Sequence, residues 1–462
     1  MKSTVGELSL LVGGEIAAGS GDTRFDGGVS IDSRILRSGD LFFAIAGPRH
    51  DGHDHVSEAV RKGASGVVVA RRIAVEPEAF ALLVPDTTRA LQDLARGFRE
   101  SKNVRIVAVT GSMGKTTTKE AAACAIGSAR RVLKSEGNLN NFYGLPLSLL
   151  KLDDEEVAVL EMGMSSRGEI ARLTSIARPD VGVITNVGEV HLEFFETLSD
   201  IAEAKGELFE GLEAGATAVV NADDPLVLRE ARRFSGRKLH FGVKEEADVR
   251  ASLIRATPAG LRFLAARAGE EVEVASHLRG RHNVYNLLAG LAAASALDVP
   301  FGDAARALSR LAPARQRGER LDFGRGFVLV DETYNSSPRA LGAALEALAE
   351  EEASRRIVVV GDMLELGERS QELHREVGRR AAGLAIDRII GVGPLASQIL
   401  EGAVEAGTRK EAVSAVASAD EAGKLLLGEL RKGDLVLLKA SRGIGLERAI
   451  EVLRRGLGEG VS

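Results

Sequence analysis

One cysteine among 462 residues, no tryptophan and only 4% aromatic side chains remove several options at the outset. Cys124 alone cannot form an intrachain disulfide or a paired-cysteine metal site, which fits a reducing, cytoplasmic setting. So few aromatic rings argue against a base-stacking surface. Charge of one sign is missing too: 60 basic and 66 acidic residues are interspersed, and no basic stripe invites nucleic acid. No apolar run approaches the roughly 18 residues of a membrane span. Residues 1–15 lack the charged start and long apolar core of an export signal. A cytoplasmic protein with no nucleic-acid or membrane partner is expected.

What is present is the balance of a folded globular chain, 45% apolar and 27% charged. The length exceeds what one hydrophobic core ordinarily organises, so the chain must divide. Residues 1–100 read as a small α/β domain, with strand-like runs at 41–46 and 66–70 and a helix-forming stretch at 56–62. A connecting helix at 85–99 leads into 101–313, where apolar, β-branched runs occupy 105–109, 157–161, 181–185 and 216–220. Residues 314–462 repeat the habit at 327–330, 357–360, 388–392 and 435–439, after a break rich in proline, glycine and charge at 313–318. Strands alternating with helices predict parallel sheets covered on both faces, with ligands gathering at the carboxyl ends of the strands.

The stretch after the first central run is the focus. Thr110-Gly-Ser-Met-Gly-Lys-Thr-Thr-Thr118 follows a strand and leads into a helix-forming segment at 119–128, the context of a phosphate cradle. Gly111 and Gly114 let backbone N–H groups approach an anion, Lys115 brings a cation, and Thr116 offers a hydroxyl to Mg²⁺. A helix terminus contributes only about 0.3–2 kcal/mol, so against a triphosphate the lysine and a metal must carry most of the electrostatics. Val109 stands where the usual P-loop has its first glycine, leaving the shorter form Gly-x-x-Gly-Lys-Thr.

Other strand ends add to the pattern. Glu161 ends the second central run and suits either Mg²⁺ or a helix cap. His191, in Asn186-Val-Gly-Glu-Val-His-Leu192, follows the third and suits either the same neighbourhood or a polar loop. Asn283 precedes an Ala-rich helix at 286–297, as a nucleotide contact or an N-cap. Polar turns at 331–338, 361–367 and 439–443 are placed to close over a site shared with the central domain. The third part has no Gly-x-Gly-x-x-Gly, so no second dinucleotide site is expected. Ser30-Ile-Asp-Ser-Arg34 offers hydroxyl and guanidinium groups to a polar ligand. His50-Asp-Gly-His-Asp-His55 lacks the spacing of well-defined metal sites and reads as a polar loop, near substrate or merely solvated. Cys124, on the apolar helix after the P-loop, reads as core.

The order of these motifs resembles the Mur ligases, the ATP-dependent amide-bond-forming enzymes of peptidoglycan precursor synthesis, across essentially the whole chain. Residues 110–117, 137–146, 160–168, 185–192, 204–206, 280–286, 331–338 and 361–367 carry it. The family uses the shorter P-loop, which accounts for Val109. Residues 138–146, 331–335 and 361–367 are most similar to the members that add D-alanyl-D-alanine to UDP-N-acetylmuramoyl-tripeptide. Ser336 and Ser337 depart from the family's Ala-Asn. The lack of Asp-Asn-Pro-Arg in the third part speaks against a diaminopimelate adder. Other Mur-type ligases and folylpolyglutamate synthetases are the neighbouring alternatives. A P-loop regulatory protein is the alternative of another class.

The resemblance implies three domains: a small N-terminal α/β domain binding the UDP-muramoyl-peptide, a central P-loop ATPase domain and a Rossmann-like C-terminal domain. The last would close over ATP and take the incoming dipeptide. Gly111, Ser112, Met113, Gly114, Lys115, Thr116 and Thr117 would cradle ATP, with Asn283, Arg320, Asp331 and Asn335 on its adenosine and phosphate side and Asp331 at the ribose. Two Mg²⁺ ions are implied, the first on Thr116 and Glu161, the second near His191 and a carbamylated Lys205. Read without the family, Lys205 is only a lysine on a helix at 200–212. Ser33 and Arg34 would contact the uridine nucleotide; Asn138, Asn140 and Asn141 would contact it or its muramoyl-peptide. A monomer is expected.

Overall fold

The computed structural model describes residues 1–47, 50–190 and 192–458. A parallel strand buried on both faces needs apolar side chains at successive positions, and the strand Arg105–Thr110 shows why its sequence is nearly unbroken. Val107 and Val109 pack to one side of their sheet, Ile106 and Ala108 to the other. This strand lies between Val157–Glu161 and Val181–Ile184, parallel to both. Neighbouring connections leave it in opposite directions, which opens a crevice at its carboxyl end.

The chain folds as three α/β domains around three large sheets. The first carries a five-stranded sheet, mostly parallel, with Glu15–Ala18 antiparallel at one edge. The central sheet has nine strands and the third domain's six, the latter with one antiparallel edge strand, Glu319–Asp322. Each large sheet has an apolar cluster on either face. The central sheet is not parallel throughout. Val249–Thr257, Gly260–Arg267 and Glu270–Ser276 extend it as an antiparallel meander that strand-then-helix periodicity did not announce. Its strands carry many charged residues on an exposed face, so they lack the apolar runs that mark the others.

Helix starts also differ from expectation. The helix after the P-loop runs Lys115–Ile126, beginning at the lysine, and the Ala-rich helix runs His282–Ala296. The two pack closely: a Cβ on Gly290 would lie 2.8 Å from backbone atoms of Ala121 and Ala122. Cys124 faces this packing, its thiol donating to the Ala307 carbonyl, and burial pushes its pKa up. Helix Thr87–Glu100 joins the first domain to the second. Gln92 donates to the Phe142 carbonyl and accepts from Arg172, while Arg99 donates to the Ala177 carbonyl. Leu147 and Leu150 of the central domain pack against the first domain's core. Among the described residues no helix is long and apolar enough to cross a membrane.

Candidate active site

The P-loop is shaped by two glycines that no other residue could replace without strain. Gly111 sits at φ +146°, and a Cβ there would fall 1.9 Å from the Thr185 hydroxyl oxygen. Gly114 sits at φ +78°, with Asn286 Oδ1 2.1 Å from the same hypothetical atom. The loop thus turns into Lys115–Ile126 with its early N–H groups at the crevice. Lys115 Nζ donates to the Gly111 carbonyl at 2.9 Å. Burial lowers its pKa, Glu161 counteracts this, and Arg317 adds to the lowering.

Glu161 ends its strand beside the loop. It accepts from the Thr116 hydroxyl at 2.7 Å and from Asn140 Nδ2 at 2.9 Å. A carboxylate and a hydroxyl at a phosphate cradle are hard oxygen donors of the kind Mg²⁺ takes, with phosphate and water completing the shell. Too few side chains converge there for a metal cage: no group of three or more His, Cys, Asp and Glu among the described residues is arranged to hold an ion. The donor set therefore fits a metal that arrives with a nucleotide.

These groups open into a cavity of about 420 Å³ between the central and third domains. Of the residues singled out in the sequence, Ser112, Met113, Gly114, Lys115, Thr116, Thr117, Asn140, Asn141, Glu161, Asn283 and Asn335 line it. Gly111 shapes the loop from behind. Asn283 is not an N-cap; it donates to the Arg279 carbonyl and accepts from Asn286. His191 lies outside the described residues.

Others are elsewhere. Asp331 turns from the cavity, accepting from the Thr333 amide and hydroxyl. On this strand the acid that lines the cavity is the next residue, Glu332. Successive strand side chains point to opposite faces, so a one-residue shift exchanges them. Glu332 pairs with Lys439 at 2.7 Å, its partner in strand register. Burial pushes the Glu332 carboxyl up, but Lys439 beside it holds it below its ordinary value. Arg320 is likewise spent on Glu351, which also holds Arg279. The arginine at the cavity is Arg317, its guanidinium 4.0 Å from the centre of the Tyr334 ring. Strand ends were the legible signal for Glu332 and Lys439; nothing in the sequence distinguished Arg317 from Arg320.

Ser33, Arg34 and Asn138 do not line this cavity. Ser33 is buried, donating to Glu58, and Arg34 is paired with Asp32 on the surface. Asn138 is exposed. In the polar run at 50–55, His53 is a buried tie: its ring meets Asp51 at 2.5 Å and accepts from the Ala70 amide at 2.9 Å.

Lys205 is the least ordinary group. It lies on helix Leu198–Glu210, 2% exposed, with neither a hydrogen-bond nor an ion-pair partner among the described residues. Burial first, and then the charge of Lys115, push its amine well below the usual lysine range. A lowered pKa favours the neutral, nucleophilic form of an amine.

Comparison with known proteins finds relatives along nearly the whole chain. The family model described as "Mur ligase middle domain" covers residues 109–294, "Mur ligase, glutamate ligase domain" 316–442, and "Mur ligase family, catalytic domain" 27–99. The Bacillus subtilis UDP-N-acetylmuramoyl-tripeptide–D-alanyl-D-alanine ligase is 35% identical, with 98% of each chain covered. A crystal structure of MurF from Acinetobacter baumannii has a TM-score of 0.90 at 31% identity, covering 98% of this chain and 99% of its own. MurF ligase from Thermotoga maritima in complex with ADP has a TM-score of 0.82 at 34% identity, covering 94% and 98%. The P-loop, the cavity between domains and the full length of the match agree: this chain belongs to the Mur ligase family.

Proposed function

We propose that this chain is the ATP-dependent ligase that joins D-alanyl-D-alanine to UDP-N-acetylmuramoyl-tripeptide, making the UDP-muramoyl-pentapeptide precursor of peptidoglycan. The observation that carries the reading is the match, along nearly the whole of both chains, to a ligase named for that reaction. The cavity supplies a place for it.

A carboxylate must attack the γ-phosphate of ATP, and two anions repel. Lys115 and the P-loop amides would hold the phosphates, and Arg317 is placed to add positive charge. Thr116 and Glu161 would hold Mg²⁺, which when bound offsets phosphate charge. The carboxylate oxygen bonds to phosphorus as ADP leaves, giving an acyl phosphate. The dipeptide amine then bonds to the carbonyl carbon, and phosphate departs from the tetrahedral intermediate, carrying the proton that the amine gives up. Docking of the third domain would keep water from the acyl phosphate. Asn140 and Asn141, on the central wall, would face the muramoyl-peptide, while the first domain, with Ser33 and Arg34, would take the uridine end. Asn335 and Glu332 would serve the nucleotide.

Lys205 completes the proposal. Its buried amine would be carbamylated, and the carbamate with His191 would hold a second Mg²⁺. We place the enzyme in the cytoplasm as a monomer. The test is phosphate release from ATP, which should require both UDP-muramoyl-tripeptide and D-alanyl-D-alanine. Equal release without either would refute the ligase. Lys205→Ala should abolish ligation while ADP still binds, with small carboxylates restoring part of the rate.

A further inference from the structure

We infer that Arg339 and Arg369 of the third domain are positioning residues for phosphoryl transfer, gripping residues 187–189 and so transmitting the third domain's docking to the P-loop. The inference rests on the ligase reading and adds to it how two domains are coupled.

Residues 185–189 follow strand Val181–Ile184 and are fastened on one side to the P-loop. The Thr185 hydroxyl and Asn186 Nδ2 donate to the Met113 carbonyl at 2.6 and 3.1 Å. Asn186 Oδ1 accepts from the Met113 amide at 3.1 Å, and the Asn186 carbonyl from the Ser112 amide at 3.0 Å. The Ser112 hydroxyl donates to the Gly188 carbonyl at 3.1 Å and accepts from the Gly188 amide at 2.9 Å. The shape of Ser112 and Met113, which line the phosphate end of the cavity, therefore depends on this segment.

The opposite side belongs to the third domain. Arg339 Nη1 donates to the Val187 carbonyl at 2.9 Å. Its side chain runs along Gly188, where a Cβ would lie 3.5 Å from Arg339 and 3.7 Å from Ser112. Gly188 is thus the layer between an arginine of one domain and the P-loop of another. Arg369 pairs with Glu189 at 2.8 Å, and the Glu193 amide donates to the Glu365 carbonyl at 3.2 Å. Arg339 stands on helix Pro338–Ala349, capped by Ser337, whose hydroxyl reaches Met113 sulfur at 3.8 Å. Neither arginine lines the cavity, so neither is placed to touch ATP.

An exposed ion pair adds little to folding stability, so the Arg369–Glu189 contact serves coupling better than it serves the fold. Linkage is reciprocal: if docking shapes the P-loop, nucleotide must favour docking. The test uses the full chain, with kcat and KM for ATP from the ligation assay, ADP affinity, melting temperature, and the radius of gyration by X-ray scattering with and without Mg·ADP. Arg339→Ala should lower kcat about tenfold, abolish nucleotide-induced compaction and leave the melting temperature unchanged, while Arg339→Lys retains most of the rate. Arg369→Glu should cause a smaller loss that Glu189→Arg in the same chain relieves. Wild-type kcat and compaction in Arg339→Ala would overturn the inference. So would an Arg369→Glu defect that the charge exchange leaves unchanged, which also decides the matter if Arg339→Ala misfolds. A wild-type chain that does not ligate would instead remove the ligase reading, and compaction would still judge the clasp.

Discussion

At the scale of single residues, Glu332 and Asp331 offer a separable pair. Glu332→Gln keeps an acceptor for Lys439 but removes the charged acceptor proposed to serve the nucleotide, so ADP should bind about tenfold more weakly, or about 1.4 kcal/mol. Asp331→Asn keeps an acceptor for Thr333 and should leave ADP affinity unchanged. Isothermal titration of both variants decides, and the reverse order would return the nucleotide role to Asp331. Lys205 gives a second case. An unfolded lysine titrates near ~10.4, and the folded one lower. Between the two values the unfolded chain binds more protons, so stability rises with pH and falls as the pH is lowered through that window. Lys205→Met should flatten this dependence and, without Mg²⁺ or bicarbonate, stabilise the protein by about 1–3 kcal/mol while ending ligation. Urea melts across pH check it; equal or lower stability in Lys205→Met would show that the amine is not a burden.

At the scale of elements, the close crossing of Lys115–Ile126 and His282–Ala296 sets how far the P-loop can shift. Gly290→Val would drive a branched side chain into the Ala121–Ala122 backbone and should cost about 1–3 kcal/mol. ADP affinity should fall with it, because Asn286 on the same helix packs on Gly114 and bonds to Thr118. A lower melting temperature with unchanged affinity would separate packing from the site. The sequence revealed the helices and parallel strands here because both depend on local apolar periodicity. The placement of Gly111, Gly114, Lys115 and Glu161 at the loop and cavity was legible because each is tied to a strand end or a turn. Arg317 was not, and for Glu332 the strand end gave only the neighbourhood, since choosing them over Arg320 and Asp331 as the cavity-lining residues requires knowing which way a side chain points. The antiparallel meander escaped because its outward face is charged, and the burial of Lys205 because only tertiary packing takes a helix face out of water.

At the scale of the molecule, the proposed substrates must span domains. The third domain meets the loop after strand Val181–Ile184 through Arg339 and Arg369. The first domain has less freedom, because helix Thr87–Glu100 is fastened to the central domain by Gln92 and Arg99 and by shared apolar packing. If the first domain takes the uridine end as proposed, this fastened helix would set a fixed distance to the phosphate cradle. UDP-muramoyl-dipeptide should still occupy the first domain, yet its carboxylate would stop short of the γ-phosphate, and misplacement of about 1 Å costs on the order of 100-fold in rate. It should therefore act as a competitive inhibitor of the tripeptide, and equal turnover of the two would mean that nothing measures length. On this reading peptide length would be chosen before chemistry begins, by a distance built into the fold.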